Sequence, residues 1–192
     1  MAQPTYRSVT VSRRTSRFGM NQVRFLAFDE NRKYLLTEGL KSCFVVFLVS
    51  HRATVAAHIP PNPGTSPNDL TAGDKNLVAK MREFAGLYNA NKDKYFTNCQ
   101  VALVFATIEG KSPMPDKKHF IEQCLRQFKV DFPMQDYKIK PRGMPRREED
   151  GTAFVDGSMT DRASVYVEDR LLLRVMAPAQ SQQTFSNPIF KR

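Results

Sequence analysis

Residues 37–61, TEGLKSCFVVFLVSHRATVAAHIPP, decide the fold because two apolar runs follow each other here across a short gap. The run within 42–50 is continuous, which is typical of a strand buried on both faces. The run at 53–59 is built of smaller side chains, so a bulky neighbour such as a helix can lie close to it. His51 and Arg52 leave room only for a short turn, and a short turn between two strands predicts antiparallel pairing.

A cysteine stands at the start of the first strand and a histidine at the end of the second. Pairing about the turn places Cys43 roughly opposite Pro60, so His58 lies about 7 Å from Cys43 along the strand direction. An imidazole is the usual base for a nucleophilic thiol. Two interpretations stay open on spacing alone. One is a plain hairpin with a buried cysteine and an incidental histidine, and the other is a thiol and an imidazole delivered to one end of a sheet.

The rest of the chain alternates between predicted strands and two predicted helices. Apolar residues at helical spacing predict amphipathic helices within 74–96 and 112–130, on either side of a buried strand within 99–110. Short apolar or alternating segments predict further strands at 6–12, 22–28, 134–140 and 152–157, and a hairpin within 163–175 that turns near Glu168 and Asp169. The fold class is therefore α+β, layered, with a mixed and largely antiparallel sheet or sheets packed with two main helices.

Composition predicts three parts of unequal size. Residues 1–21 are polar and basic and are expected to form an N-terminal arm. Residues 22–176 carry the apolar patterns and are expected to form a single α/β domain. Residues 177–192 are polar with two late aromatic residues and are expected to form a flexible C-terminal tail.

The chain is strongly basic, with a formal net charge of +10 and a pI of about 9.7. This balance favours acidic partners, either an acidic protein surface or a nucleic acid. The longest apolar runs are too short to span a bilayer, and the N-terminal stretch has no apolar segment of the kind found in signal peptides.

The three cysteines lie far apart and include no CxxC pair. This spacing argues against a disulfide scaffold and a cysteine-rich zinc site, and no metal or other cofactor is expected. Reduced thiols indicate a cytoplasmic location, with the nucleus as the alternative for so small and basic a chain. The sequence leaves the oligomeric state open.

The residues around Cys43 and His58 form a recognisable motif. Thr37, Gly39, Ser42 and Cys43 spell T-x-G-x-x-S-C before an apolar strand, and a strand of small residues then ends in A-H-I-P at His58. This pattern resembles the chemoreceptor glutamine deamidase family, CheD, although Lys41 stands where that family usually has glycine. The separation of Cys43 and His58 is similar to that of the cytotoxic necrotizing factor deamidases, which share the same fold.

The resemblance implies a protein-glutamine deamidase that acts on an exposed glutamine of a protein substrate. Cys43 would be the nucleophile and His58 its general base, while Thr37 would orient the site or the substrate amide. Backbone N–H groups near Ser42 and Cys43 would hold the oxyanion. The alternative is a non-catalytic basic module that binds or assembles with an acidic protein or a nucleic acid on the same fold.

Overall fold

The computed structural model describes residues 3–64, 69–129, 132–140 and 143–178. They form three helices and ten strands in two five-stranded sheets. The helices are α1 (Tyr6–Thr10), α2 (Ala72–Tyr95) and α3 (Pro115–Arg126). The strands are β1 (Thr15–Arg17), β2 (Gln22–Ala27), β3 (Tyr34–Thr37), β4 (Phe44–Val49), β5 (Ala53–Ile59), β6 (Gln100–Thr107), β7 (Met134–Lys138), β8 (Ala153–Asp156), β9 (Arg162–Val167) and β10 (Arg170–Met176). This is the predicted α+β layered class.

The sheet in the order β2-β5-β4-β6-β7, called here the central sheet, is built on the predicted hairpin. Every residue of β4 and of β5 is buried, as the apolar runs predicted. The turn is closed by Ser50, whose N–H donates to the Ala53 carbonyl at 2.9 Å and whose Oγ accepts from the Ala53 N–H at 3.0 Å. Phe44 pairs with Ile59, which confirms the predicted register and sets Cys43 level with Pro60.

Both long helices pack on one face of the central sheet. The small side chains of β5, Ala53 and Ala57, belong to the same apolar cluster as Leu77, Met81 and Phe84 of α2. The small residues of β5 therefore admit a helix, as expected from the sequence.

The second sheet, in the order β1-β3-β8-β9-β10, is called here the facing sheet because it packs on the opposite face of the central sheet. Val155 and Val165 of the facing sheet share a cluster with Val45 and Phe47 of the central sheet. The β9–β10 hairpin turns at Glu168 and Asp169, as predicted, and both residues have positive φ, 49° and 62°. Two positive φ values in a two-residue loop match the twist of the strands that it joins.

The segment at 6–12 was wrongly predicted as a strand, because it begins with helix α1. Alternation of Val9 and Val11 with polar residues resembles a strand pattern, but Thr5 and Ser8 form a reciprocal capping box that begins a helix. Residues 15–17 then form β1, which pairs in parallel with β3. The part predicted as an arm thus contributes a strand to the facing sheet, while the division of the chain at residue 21 stays a prediction. Most of the predicted tail, residues 179–192, lies outside the described residues.

Candidate active site

Cys43 and His58 lie on the same face of the central sheet. His58 is paired directly with Val45, and Cys43 precedes Val45 by two residues, so both side chains point to the same side of the sheet as Val45. That side packs against the facing sheet, since Cys43, Val45 and Ala56 belong to the apolar cluster between the two sheets. Residues in this diagonal relation have Cα atoms about 7–8 Å apart. The Cys43 thiol does not hydrogen-bond to the imidazole, because Nε2 of His58 has no partner among the described residues and Nδ1 contacts Thr37.

Thr37 reaches the same point from the facing sheet. It is the last residue of β3 and has the same parity as Leu35, whose side chain lies in the cluster between the sheets. Its Oγ1 lies 2.7 Å from Nδ1 of His58. The Phe18 ring packs edge-on against the imidazole, with 6.4 Å between centroids and 84° between planes. The imidazole is therefore held at one nitrogen by Thr37 and packs against the Phe18 ring.

His58 is neutral at neutral pH in this position. Its exposed fraction is 1%, and burial lowers the pKa of the imidazole to about 4. Nε2 is also buried and has no hydrogen-bond partner among the described residues. In the tautomer that donates Nδ1–H to Thr37, Nε2 carries an unshared lone pair. That lone pair is the feature required of a general base.

Cys43 is a protonated thiol in the resting site. Its exposed fraction is 4%, and burial raises the pKa of the thiol. The backbone N–H groups of Ser42 and Lys41 act in the opposite direction and lower that pKa by a smaller amount. At neutral pH the two side chains are thus a neutral thiol and a neutral imidazole.

The backbone at Cys43 is held by a residue that the sequence analysis did not single out. Tyr137 of β7 donates its hydroxyl hydrogen to the Cys43 carbonyl at 2.8 Å. Tyr137 is buried, and burial raises the pKa of its phenol, so the phenol stays a donor. This hydrogen bond anchors the backbone at Cys43. Ser42 and Cys43 belong to the same turn, and they were predicted to present N–H groups to an oxyanion. That oxyanion site stays a prediction.

The loop that carries Cys43, residues 38–43, is held against residue 151 of a distant part of the chain. Leu40 donates its N–H to the Gly151 carbonyl at 2.9 Å. Gly151 has a φ of +67°, and a Cβ at that residue would lie 2.6 Å from the Leu40 carbonyl oxygen. Only glycine therefore allows this approach, because other residues combine a strained φ with a clash.

Cations line the surface beside this loop and form what is called here the basic rim. Its members are Lys41, Lys138, Lys140, Arg146, Arg147 and Arg170. Four carboxylates lie among them: Asp150 pairs with Lys140 and Arg147, Glu149 also pairs with Arg147, Glu168 pairs with Arg170, and Asp136 lines the same surface. In the part of the chain that the structure describes, no carboxylate lies within 4.0 Å of the Lys41 or Lys138 ammonium. The rim is therefore net positive next to Cys43.

The described residues contain no group of three or more His, Cys, Asp or Glu side chains arranged to hold a metal ion. None of the helices within the described ranges has both the length and the apolar composition needed to cross a membrane.

No protein-family model matches this sequence, and no curated protein is similar to it. Among solved structures, the C-terminal domain of CNFy from Yersinia pseudotuberculosis is similar with a TM-score of 0.34 and 9% sequence identity. The alignment covers 84% of this chain and 62% of that one, so this chain spans less than two thirds of the CNFy domain's length. At these values the likeness is a loose one of fold, and it assigns no chemistry to this chain.

Proposed function

We propose that this chain is a cysteine-dependent amidohydrolase that converts an exposed glutamine of a protein substrate to glutamate. The observation that carries the proposal is the contact of 2.7 Å between Thr37 Oγ1 and His58 Nδ1, which leaves Nε2 free on the face that Cys43 shares. A nucleophile, a base and a group that orients the base are the parts that covalent catalysis requires. The motif around Cys43 and His58 supports the same chemistry through its resemblance to glutamine deamidases.

The first half-reaction transfers the acyl group to sulfur. His58 Nε2 accepts the thiol proton, and the sulfur attacks the side-chain amide carbon to give a tetrahedral oxyanion. Thr37 accepts from Nδ1–H, which stabilises the imidazolium that forms. His58 then returns the proton to the amide nitrogen, the C–N bond breaks, and ammonia leaves a thioester on Cys43.

The second half-reaction hydrolyses the thioester. Neutral His58 accepts a proton from water, whose oxygen attacks the thioester carbon. The C–S bond breaks, glutamate leaves, and the sulfur regains the proton from His58. One water is consumed and one ammonia released, so the reaction needs no cofactor.

Access of a substrate to Cys43 requires movement of the residues that cover it, because its exposed fraction is 4%. Closure also excludes water from the buried pair, which strengthens the interactions that stabilise the oxyanion. The net positive rim beside the loop favours a substrate segment in which acidic residues flank the glutamine.

The near-complete burial of Cys43 and His58 favours a second candidate, a binding or assembly module without catalysis. In that case the pair is a packed core feature, and the basic rim is the functional surface for an acidic protein or a nucleic acid. This candidate predicts salt-sensitive binding that replacement of Cys43 leaves unchanged.

The experiment that separates the two is a search for glutamine-to-glutamate conversion in a mixture of intact proteins. The wild-type chain and the variants Cys43→Ser and Cys99→Ser are each incubated with the mixture without added cofactor, and converted sites are mapped by peptide mass spectrometry. Conversion at defined glutamines by wild type and Cys99→Ser, but not by Cys43→Ser, is the expected result. Equal site lists for wild type and Cys43→Ser would overturn the proposal.

A further inference from the structure

A polar cavity of about 460 Å³ lies on the other side of the facing sheet, away from Cys43 and His58. Strand register builds it, because Tyr34 pairs with Asp156, Asp156 with Ser164, and Ser164 with Arg174. These four side chains form one row across β3, β8, β9 and β10. Tyr34 and Thr37 have opposite parity on β3, so the row points away from the candidate active site. The volume is in the range of small-molecule sites.

One wall of the cavity is a carboxylate that lacks a cation. Asp156 is nine-tenths buried, and its Oδ1 accepts the Ser158 N–H at 2.8 Å. Within the described ranges, no Lys, Arg or His nitrogen lies within 4.0 Å of this carboxylate, and Oδ2 has no hydrogen-bond donor. Oδ2 is not enclosed by protein atoms and faces the open cavity, where a cation or a further donor can reach it.

Two guanidinium groups belong to the same lining as Asp156. Arg162 and Arg174 both line the cavity. The nearest carboxylate to Arg162 is that of its neighbour Asp161 at 3.6 Å, and Arg174 has no carboxylate partner among the described residues. The cavity thus holds a carboxylate and two cations that do not satisfy each other. Tyr34 and Tyr166 supply aromatic surface between them.

We propose that this cavity binds a small zwitterion of the free amino-acid class. The ligand's ammonium group lies against Asp156, and its carboxylate lies between Arg162 and Arg174. An anionic ligand without an ammonium group would leave Asp156 without a cation. An amine without a carboxylate would leave Arg162 and Arg174 without an anion. A ligand that carries both charges satisfies all three side chains at once. The inference does not depend on the proposed deamidase activity.

Calorimetric titration of the full chain with each standard free L-amino acid tests the inference. At least one amino acid is expected to bind saturably. Its matched amine, which lacks the carboxylate, and its matched carboxylic acid, which lacks the ammonium, are each expected to bind at least about tenfold more weakly. If no amino acid binds, or if the carboxylic acid binds as tightly as the amino acid, the inference is overturned.

Three variants locate the binding. Asp156→Asn preserves the shape and the acceptor for Ser158 but removes the charge, and Arg174→Gln removes an exposed cation that no fold contact uses. Each is expected to weaken binding at least about tenfold. Arg170→Gln, on the same strand but outside the cavity, is the matched control and is expected to bind as wild type does. Binding that survives both Asp156→Asn and Arg174→Gln would place the ligand elsewhere and contradict the inference.

Discussion

At the scale of single residues, the site depends on an imidazole kept neutral by burial. His58 has a pKa of about 4 and is held by Thr37 at Nδ1. Burial of Cys43 raises the pKa of its thiol. Both shifts favour the uncharged forms, so Cys43 is a neutral thiol and His58 a neutral imidazole at neutral pH.

The lowered pKa of His58 predicts how stability depends on pH. As the pH falls below the ordinary histidine pKa, the unfolded chain binds a proton at residue 58 while the folded chain does not until about pH 4. Stability from this residue is therefore present above the unfolded pKa and declines as pH falls toward 4. Between pH 7 and pH 5 the loss is roughly 2 kcal/mol of unfolding free energy.

Urea unfolding of wild type and His58→Gln at several pH values measures this loss. Because glutamine does not titrate, the variant is expected to lose less stability across the same pH range. His51 remains in both proteins and cancels in the comparison. Parallel pH curves for the two proteins would show that His58 titrates normally and is not buried neutral.

At the scale of elements, the hairpin was predictable and the loop before it was not. Residues of β4 and β5 are adjacent in sequence, so their continuous apolar runs and short turn specify register by themselves. The partners that hold residues 38–43 lie far along the chain. Tyr137 contacts Cys43 across 94 residues, and Gly151 contacts Leu40 across a comparable separation. No local pattern signals such contacts, because they depend on how separate elements pack.

Strand β3 and the role of Thr37 show the same limit. Only Leu35 and Leu36 mark β3 as apolar, and the strand exists because β1 and β8 pair with it on either side. Thr37 meets His58 only when the two sheets pack face to face. The sequence indicated Thr37 through a motif resemblance and not through any periodicity of its own.

Replacement of Gly151 tests the contact that holds the loop. Gly151→Ala combines a left-handed φ with a clash at the Leu40 carbonyl, whereas Gly110→Ala has a similar φ of +77° with nothing within 4 Å. Both are expected to lose about 1–2 kcal/mol from backbone strain, and Gly151→Ala is expected to lose more because of the clash. Thermal unfolding measures both. Equal losses would mean that the Leu40 contact does not constrain the loop.

At the scale of the whole molecule, the candidate site lies at the junction of the two sheets and beside the basic rim. Cys43 and His58 come from the central sheet and Thr37 from the facing sheet, so the site is complete only in the packed fold. The net charge of +10 therefore includes a local group of cations beside the candidate site. Part of that charge lies on the basic rim beside Cys43.

Charged and neutral alkylating reagents measure this local field. Iodoacetate is an anion, whereas iodoacetamide is neutral. At low salt, the iodoacetate rate divided by the iodoacetamide rate is expected to be several-fold higher at Cys43 than at Cys99. Lys41→Gln and Lys138→Gln are expected to lower the ratio at Cys43, as is added salt. Lys92→Gln, near the far end of α2, is the matched control and is expected to leave it unchanged. If this ratio is the same at Cys43 as at Cys99 and does not change with added salt, the field at the site is not positive.

The most direct test of the central claim is the rate of Cys43 alkylation by iodoacetamide, read by peptide mass spectrometry across pH. Wild type is compared with His58→Ala, Thr37→Val and Thr37→Ser, and Cys99 and Cys124 in the same molecules serve as reference thiols. The account predicts that Cys43 reacts at neutral pH and that its rate falls as pH approaches 4. It also predicts that His58→Ala and Thr37→Val, but not Thr37→Ser, slow Cys43 about tenfold or more while the reference thiols are unchanged. If Cys43 reacts at one rate in all four proteins, the pair is a structural hairpin and the catalytic account is wrong.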